Sequence, residues 1–170
     1  MRHTVVRYGV YSLILAAILF LLALTLGDDL SYSTQEILGY VTMTVSLVFV
    51  YFGIKHYRDE INGGAVSFWK AFSIGILISI FAGIGFGIID YIYTTAINPD
   101  FMVEYETAML ADMKADLSAE EFEKQKTVLQ QQMKVYGGSG FMAALMFITV
   151  VLIGTIISLL SAVILQKKEH

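Results

Sequence analysis

The sequence predicts an all-α integral membrane protein with four transmembrane helices and an extracytoplasmic helical hairpin between helices three and four. Of the 170 residues, 56% are hydrophobic and 15% are charged, and the apolar residues occur in long blocks. These blocks approach the roughly 20 residues that cross a bilayer. A soluble domain would instead space its apolar residues at helical or strand periods. The single proline, and the lack of alternating segments of about ten residues, favour helices over a barrel.

The first two apolar runs are bounded by short polar segments. Arg2 and Arg7 precede the first run, which is longer than the roughly 7–15 apolar residues of a signal peptide and lacks a good cleavage site. We therefore expect an uncleaved helix. Ser33 or Thr34 is expected to cap the second helix. The four runs predict transmembrane helices over residues 8–26, 37–54, 71–93 and 141–165 of a single membrane domain.

A polar elbow over residues 51–72 joins the second and third runs. Its glycine pair, Gly63 and Gly64, is expected to end one helix, and Ser67 to cap the next. The elbow is rich in basic and aromatic side chains, which fix the side of the membrane that a short loop occupies. Its location therefore determines the orientation of every other segment.

Small residues recur on one face of several predicted helices. In lipid, such residues let helix backbones approach closely, since packing replaces the hydrophobic driving force. We expect helices three and four to pack closely, with these faces directed at helices inside the bundle or at a second copy. In the second run the residues are Gly39, Ser46 and Gly53; in the third Gly75, Ser79, Gly83 and Gly87; in the fourth Gly154, Ser158 and Ala162.

The insertion between the third and fourth runs, residues 98–136, is predicted to form two helices. Asn98 is expected to cap the first, with Pro99 and Asp100 in its first turn. Ser118 opens a capping-box pattern for the second. That helix carries one apolar stripe, which either packs on Phe101, Tyr105 and Met109 of the first helix or is a docking surface for a partner. The stripe consists of Phe122, Leu129 and Met133.

The basic residues are divided unevenly between the two predicted sides of the membrane. The acidic turn after the first run, with Asp28, Asp29 and Glu36, contains no basic residue. The charges of the insertion count for less, because an extended polar segment crosses the membrane with little regard to its charge. Short basic segments remain in the cytoplasm, so we expect cytoplasmic termini and an insertion on the outside. The basic residues of the chain ends and the elbow are Arg2, Arg7, Lys55, Arg58, Lys70, Lys167 and Lys168.

Three short motifs carry a family resemblance. KHYRD at 55–59 and FWKAF at 68–72 lie in the elbow, and INPDF at 97–101 opens the insertion. In these motifs, and in their order and spacing over nearly the whole chain, the sequence resembles the domain-of-unknown-function family numbered 4199, small four-helix bacterial membrane proteins. That family has no established activity. The resemblance implies four helices and a bacterial inner-membrane location, and it implies no reaction or catalytic residue.

Asp90 is the candidate functional residue, because it is the one carboxylate within an apolar run. Ionisable residues inside the membrane are functional candidates by default. Asp90 is expected about one turn from the outer end of its helix, beside Tyr91 and Tyr93, where it would reach water or headgroups. A structural role at the interface is the favoured interpretation, and transport or coupling is the alternative.

Other chemistry finds little support. The chain has no cysteine, which excludes disulfides and thiolate sites. His56, Asp59 and Glu60 are expected to form a solvated turn, so we expect no metal, cofactor or catalytic residue. Nucleic-acid binding would need a clustered basic surface. Contact with membrane lipids is expected, and the candidate headgroup-binding residues are Lys55, Arg58 and Lys70.

These features favour a non-enzymatic scaffold or accessory subunit. It would associate with a membrane partner or a second copy through its small-residue faces and its outer hairpin. The alternative is a small oligomeric transporter or channel with Asp90 near the pathway. Helices one, two and four carry no ionisable residue at mid-depth, which argues against coupled transport.

Overall fold

The described part of the chain consists almost entirely of helices. The computed structural model describes residues 1–27 and 30–167, so Asp28, Asp29 and Lys168 of the sequence predictions lie outside the described residues. No β-strand occurs in those two ranges, where Val66 and Lys167 form an isolated antiparallel bridge. The helices are α1 Arg2–Leu26, α2 Tyr32–Ser46, α3 Val48–His56, α4 Phe68–Ile92, α5 Phe101–Asp116, α6 Ala119–Tyr136 and α7 Ser139–Leu165, with π-helical turns at Tyr57–Ile61 and Tyr93–Ile97.

Four helical segments are long and apolar enough to cross a bilayer. Much of their surface faces outward and is apolar, as a lipid environment requires. On α1, for example, Ile14, Ile18 and Leu22 are exposed at intervals of four residues along one face. The four segments are Arg2–Leu26, Thr34–Ile61, Phe68–Ile97 and Ser139–Leu165.

The elbow is shorter than the sequence suggested, because the second span continues as a helix to Ile61. Lys55 and His56 occupy the last turn of α3, where cations interact favourably with the helix dipole. Only residues 62–67 then link this span to α4. Gly63 and Gly64 have φ of +62° and +86° and provide the left-handed turn that ends the helix.

The second span is interrupted at Leu47, between α2 and α3. The Val50 N–H bonds to the Leu47 carbonyl, one residue closer than in a regular α-helix, and leaves the Ser46 carbonyl without its usual partner. The Ser12 hydroxyl of α1 donates to that carbonyl at 2.7 Å. The Ser46 carbonyl at the interruption is therefore satisfied by a neighbouring helix, as backbone groups buried away from water require.

Helix α4 lies at the centre of the bundle. It packs most extensively on α7 and next on α1, and α3 contacts all three of these helices. The residues facing α4's neighbours are fully buried, among them Val50, Ile74, Ile78 and Phe86. The interior of a single chain is thus filled by side chains.

Two predicted helix starts differ from the observed ones. Helix α2 begins after Ser31, whose hydroxyl accepts the Thr34 N–H, so Ser33 and Thr34 lie inside the helix. Helix α5 begins after Asp100 rather than Asn98 and has no side-chain cap. The Asn98 amide donates instead to the Glu104 carboxylate at 3.0 Å.

The other two predicted caps lie at helix starts. Ser67 is the residue before α4, although its hydroxyl makes no capping hydrogen bond. The capping box of α6 is confirmed. The Ser118 hydroxyl accepts the Glu121 N–H, and the Glu121 carboxylate accepts the Ser118 N–H and hydroxyl. The hydrogen bonds from the Ser118 hydroxyl and N–H hold the pKa of Glu121 below its ordinary value.

Candidate functional site

The small residues of α4 and α7 face each other inside the chain. A Cβ on Gly75 would lie 2.5 Å from the Ser158 hydroxyl, and a Cβ on Gly154 would collide with the Ser79 hydroxyl. Each serine also donates to the glycine carbonyl one turn earlier in its own helix, Ser79 to Gly75 at 2.9 Å and Ser158 to Gly154 at 2.6 Å. Each serine therefore fills the notch left by a glycine of the other helix, with its hydroxyl satisfied.

The same contact continues toward the insertion. Gly83 faces Phe147, and Gly87 faces the Ala143 carbonyl, where a Cβ would lie at 3.1 Å. Ala162 is fully buried near the other end of α7. The third and fourth predicted spans thus pack closely, and around Gly75, Ser79, Gly154 and Ser158 their small-residue faces are occupied within one chain.

One close approach was not anticipated. Gly85 lies against α1, and a Cβ there would be 2.7 Å from the Leu13 carbonyl oxygen and 3.3 Å from the Ala16 side chain. Gly39 shows the opposite discrepancy, because a Cβ there would meet nothing within 4 Å. Gly85 lies outside the four-residue repeat of small residues on α4, and that repeat marks only the face that packs on α7.

Asp90 lies at the end of α4 nearest the insertion, and its side chain is buried. The residue is 6% exposed, and its Oδ2 is enclosed without a hydrogen-bond partner. This differs from the expectation that Asp90 reaches water or headgroups. Asp90 shares the helix face of Phe86, which packs on Phe20 of α1 with ring centroids 4.8 Å apart. Rotation about the helix axis, rather than depth, determines its burial.

The surroundings of Asp90 are polar on one side. Thr94, one turn later in the π-helical segment, is buried and donates its hydroxyl to the Asp90 carbonyl at 2.9 Å. The Ser139 hydroxyl at the start of α7 reaches the Thr94 carbonyl at 3.5 Å. Tyr93 is also buried, with its ring 5.7 Å from that of Phe101 at the start of α5. Asp90 thus lies where α4, α7 and the insertion meet.

An open apolar groove runs beside this junction. It has a volume of about 390 Å³ and lies between α4 and α7 on the outer surface of the bundle. Its floor consists of small residues and its walls of larger apolar ones, with Tyr91 near the insertion end. The lining includes Gly83, Gly87, Ala143, Ile84, Ile88 and Phe147.

The opposite end of the bundle contains the elbow and both described chain ends. The Arg58 guanidinium makes two bonds to Asp59, at 2.6 and 3.1 Å, and one to the Leu165 carbonyl at the end of α7, at 3.4 Å. Arg58 is therefore engaged in holding the elbow to α7. Lys55 and Lys70, the other two candidate headgroup-binding residues, are exposed.

The elbow is also fixed by backbone hydrogen bonds. Val66 and Lys167 exchange two N–H···O bonds of 2.9 Å, which attach the residues after α7 to the elbow. The His56 ring lies 5.4 Å from the Tyr8 ring of α1. Over residues 1–27 and 30–167, no group of three His, Cys, Asp or Glu side chains is placed to hold a metal ion.

The insertion forms an arm of two helices, α5 and α6, in which no residue is fully buried. A groove lined by Met102 and Glu106 of α5 and by Met133 and Lys134 of α6 places the start of one helix beside the end of the other. Two aromatic contacts join the base of the arm to the bundle. The Tyr93 and Phe101 rings meet where the chain enters the arm, and the Tyr136 and Phe141 rings meet where it leaves.

The predicted stripe of α6, formed by Phe122, Leu129 and Met133, is half-buried, as are Phe101, Tyr105 and Met109 of α5. A second apolar pair was missed. Val128 and Val135, seven residues apart on one face of α6, are 48% and 67% exposed. Their heptad spacing was visible in the sequence but was overlooked beside the larger residues.

The fold and the buried carboxylate define an all-helical protein with four candidate membrane spans and a polar helical arm. A family model described as "Protein of unknown function (DUF4199)" matches residues 7–167. The chain therefore belongs to that family, which confirms the resemblance seen in the short motifs. No curated protein and no solved structure matches the chain.

Proposed function

We propose that this chain is a non-enzymatic, multi-pass protein of the bacterial inner membrane with both termini in the cytoplasm. The clustering of basic residues at one end of the bundle supports this orientation. Arg58 and Lys167 contact elements of the elbow end directly, and Arg7 lies over the Tyr8 and Tyr11 rings of α1 beside it. Basic residues flanking spans are retained on the cytoplasmic side.

The orientation is testable with single cysteines, because the chain has none of its own. Glu60→Cys and Glu123→Cys place exposed thiols in the elbow and in α6. A membrane-impermeant maleimide should label Glu123→Cys in intact cells from which the outer membrane has been removed. Glu60→Cys should react only after the remaining membrane is permeabilised. The reverse pattern would invert the orientation, and equal labelling of both would contradict a spanning arrangement.

The proposed role is that of an accessory subunit whose arm contacts a second membrane protein. The observation that carries this proposal is the arm itself: it contains no buried residue, joins the bundle at its base and presents Val128 and Val135 outward. Since the interlocked glycines and serines of α4 and α7 pack on each other within the chain, the arm is the better surface for association. Two valines on one face of a charged helix suit a helix-in-groove or helix-on-helix contact.

Photo-crosslinking in native membranes tests this role. A photoreactive residue at position 128 or 135 should give one recurrent product, and one at Glu123, exposed on the other side of α6, should not. The product from position 128 should disappear when Val135→Asp is added. Cross-links to a second copy would make the partner a homo-oligomer. Equal products from all three positions, or none, would contradict the proposal.

A small oligomeric transporter is the second candidate, favoured by the burial of Asp90. Fully buried side chains occupy the interior of the bundle among the described residues, so we place the pathway of this candidate between copies, along the groove of α4 and α7. An Asp90→Asn variant with unchanged abundance and lost transport would support this candidate. Lost abundance would indicate a structural role for the carboxylate.

A further inference from the structure

Asp90 is exceptional among the residues that the structure describes. It is the one whose buried side-chain oxygen, Oδ2, has no hydrogen-bond partner. Buried polar groups in folded proteins are almost always paired, and each exception calls for an explanation. The carboxyl group occupies an apolar span, 6% exposed, and no described cation forms an ion pair with it.

A carboxylate ion would be very unfavourable in this position. Removing an ionised carboxylate from water is strongly unfavourable when no opposite charge or hydrogen-bond donor replaces the lost water. A cation would offset that cost, but among the described residues no group of three His, Cys, Asp or Glu side chains is placed to hold a metal ion. A proton on the carboxyl group removes the charge with no further ligand.

We infer that Asp90 is a proton-binding site, un-ionised in this packed conformation, and that it releases its proton when the junction of α4, α7 and the insertion opens. One polar contact at this junction is long. The Ser139 hydroxyl contacts the Thr94 carbonyl at 3.5 Å, the limit of a hydrogen bond. The π-helical turn Tyr93–Ile97 follows Asp90 directly, and such turns occur frequently at functional sites.

The ionisable groups around Asp90 leave its proton without a competing charge. The last three turns of α1 and the first three of α7 contain no ionisable residue within the described chain. The ionisable groups that follow Asp90 on α4 and its continuation are the phenols of Tyr91 and Tyr93. At the start of α5 the ionisable groups are Asp100, Glu104 and Tyr105, and Glu104 accepts a hydrogen bond from Asn98.

The un-ionised state is testable by infrared spectroscopy on the full-length protein in lipid. A carboxylic acid has a carbonyl stretching band that a carboxylate lacks. The spectrum of the wild type minus that of Asp90→Asn should contain one such band at neutral pH, and the band should be lost on strong alkalinisation. The difference between the wild type and Asp100→Asn, which alters an exposed carboxylate, should contain none.

A membrane-soluble carbodiimide provides a second measurement. The carboxyl proton moves to a nitrogen of the reagent while the carboxyl oxygen bonds to its central carbon, so the protein gains the full mass of the reagent. The label should appear on Asp90, fall as the pH rises and be absent from Asp90→Asn.

Either method can overturn the inference. A wild-type spectrum in which Asp90 contributes only carboxylate bands at neutral pH would show that the group is ionised and that a partner has been overlooked. If the labelling of Asp90 does not change with pH over the range in which its infrared band is lost, the labelled group is not the protonated carboxyl group, and the inference fails. Neither measurement depends on the accessory role, so the two proposals fail separately.

Discussion

Replacing Gly85 by alanine tests the closest approach, among the described glycines, to the backbone of another helix. The added Cβ would lie 2.7 Å from the Leu13 carbonyl oxygen. An unstrained contact between a carbon and a carbonyl oxygen needs roughly 3.3 Å or more, so α1 and α4 must separate by about 0.6 Å. The obstacle is backbone, which side-chain rotation cannot relieve.

The expected cost follows from that separation. Overpacking a tight interface costs about 1–3 kcal/mol. Alanine also stabilises a helix by about 1 kcal/mol relative to glycine. Gly39→Ala isolates this second effect, because its Cβ meets nothing within 4 Å. Gly85→Ala should therefore be about 1–3 kcal/mol less stable than Gly39→Ala, which corresponds to a factor of roughly 5 to 150 in the unfolding equilibrium.

Reversible unfolding by SDS in bicelles is a suitable assay, followed by the fluorescence of the single tryptophan, Trp69. Both variants carry the same chemical change in a candidate membrane span, so detergent effects on the two should match. Equal stability of the two variants would show that α1 and α4 do not meet at Leu13. It would also refute the use of glycine contacts to define the bundle.

Two further predictions concern α7 and the arm. Gly154→Val should have a free energy of unfolding about 1–3 kcal/mol lower than Gly140→Val, and so a lower SDS midpoint. The reason is that a Cβ at 154 collides with Ser79, whereas one at 140 meets nothing within 4 Å. Equal midpoints would contradict the interlocked contact. The lowered pKa of Glu121 means that its capping bonds stabilise α6 above the ordinary glutamate pKa and are lost as the pH falls through the lowered value. The protection of the first-turn amides of α6 against hydrogen exchange should therefore fall on acidification in Glu123→Gln, which retains the capping box. It should not fall in Glu121→Gln, and each variant is compared with an unfolded chain at the same pH.

The sequence was sufficient for features governed by local rules. Long apolar runs and the Ser118 capping pattern depend on residues close in the chain, and both have counterparts in the structure. The predicted elbow, residues 51–72, includes the polar end of the second helical segment. The cations at its end stabilise a helix terminus instead, so the second span continues to Ile61.

Features that depend on a distant partner were not predictable. The interruption at Leu47 requires Ser12 of another helix to satisfy the Ser46 carbonyl. The burial of Asp90 depends on how α4 is rotated against α1, which one sequence does not specify. Gly85 became informative only when the Leu13 carbonyl was seen opposite it.

The base of the arm has a consequence for how the chain can vary. The Ser139 hydroxyl lies 3.5 Å from the Thr94 carbonyl, so the chain leaves the bundle and re-enters it at nearly the same point. The entropy of closing a loop rises slowly with its length, by about 0.6 kcal/mol for each doubling. An insert of quite different size is therefore compatible with the same four spans. The four spans can therefore stay constant while the arm between them varies in length and sequence.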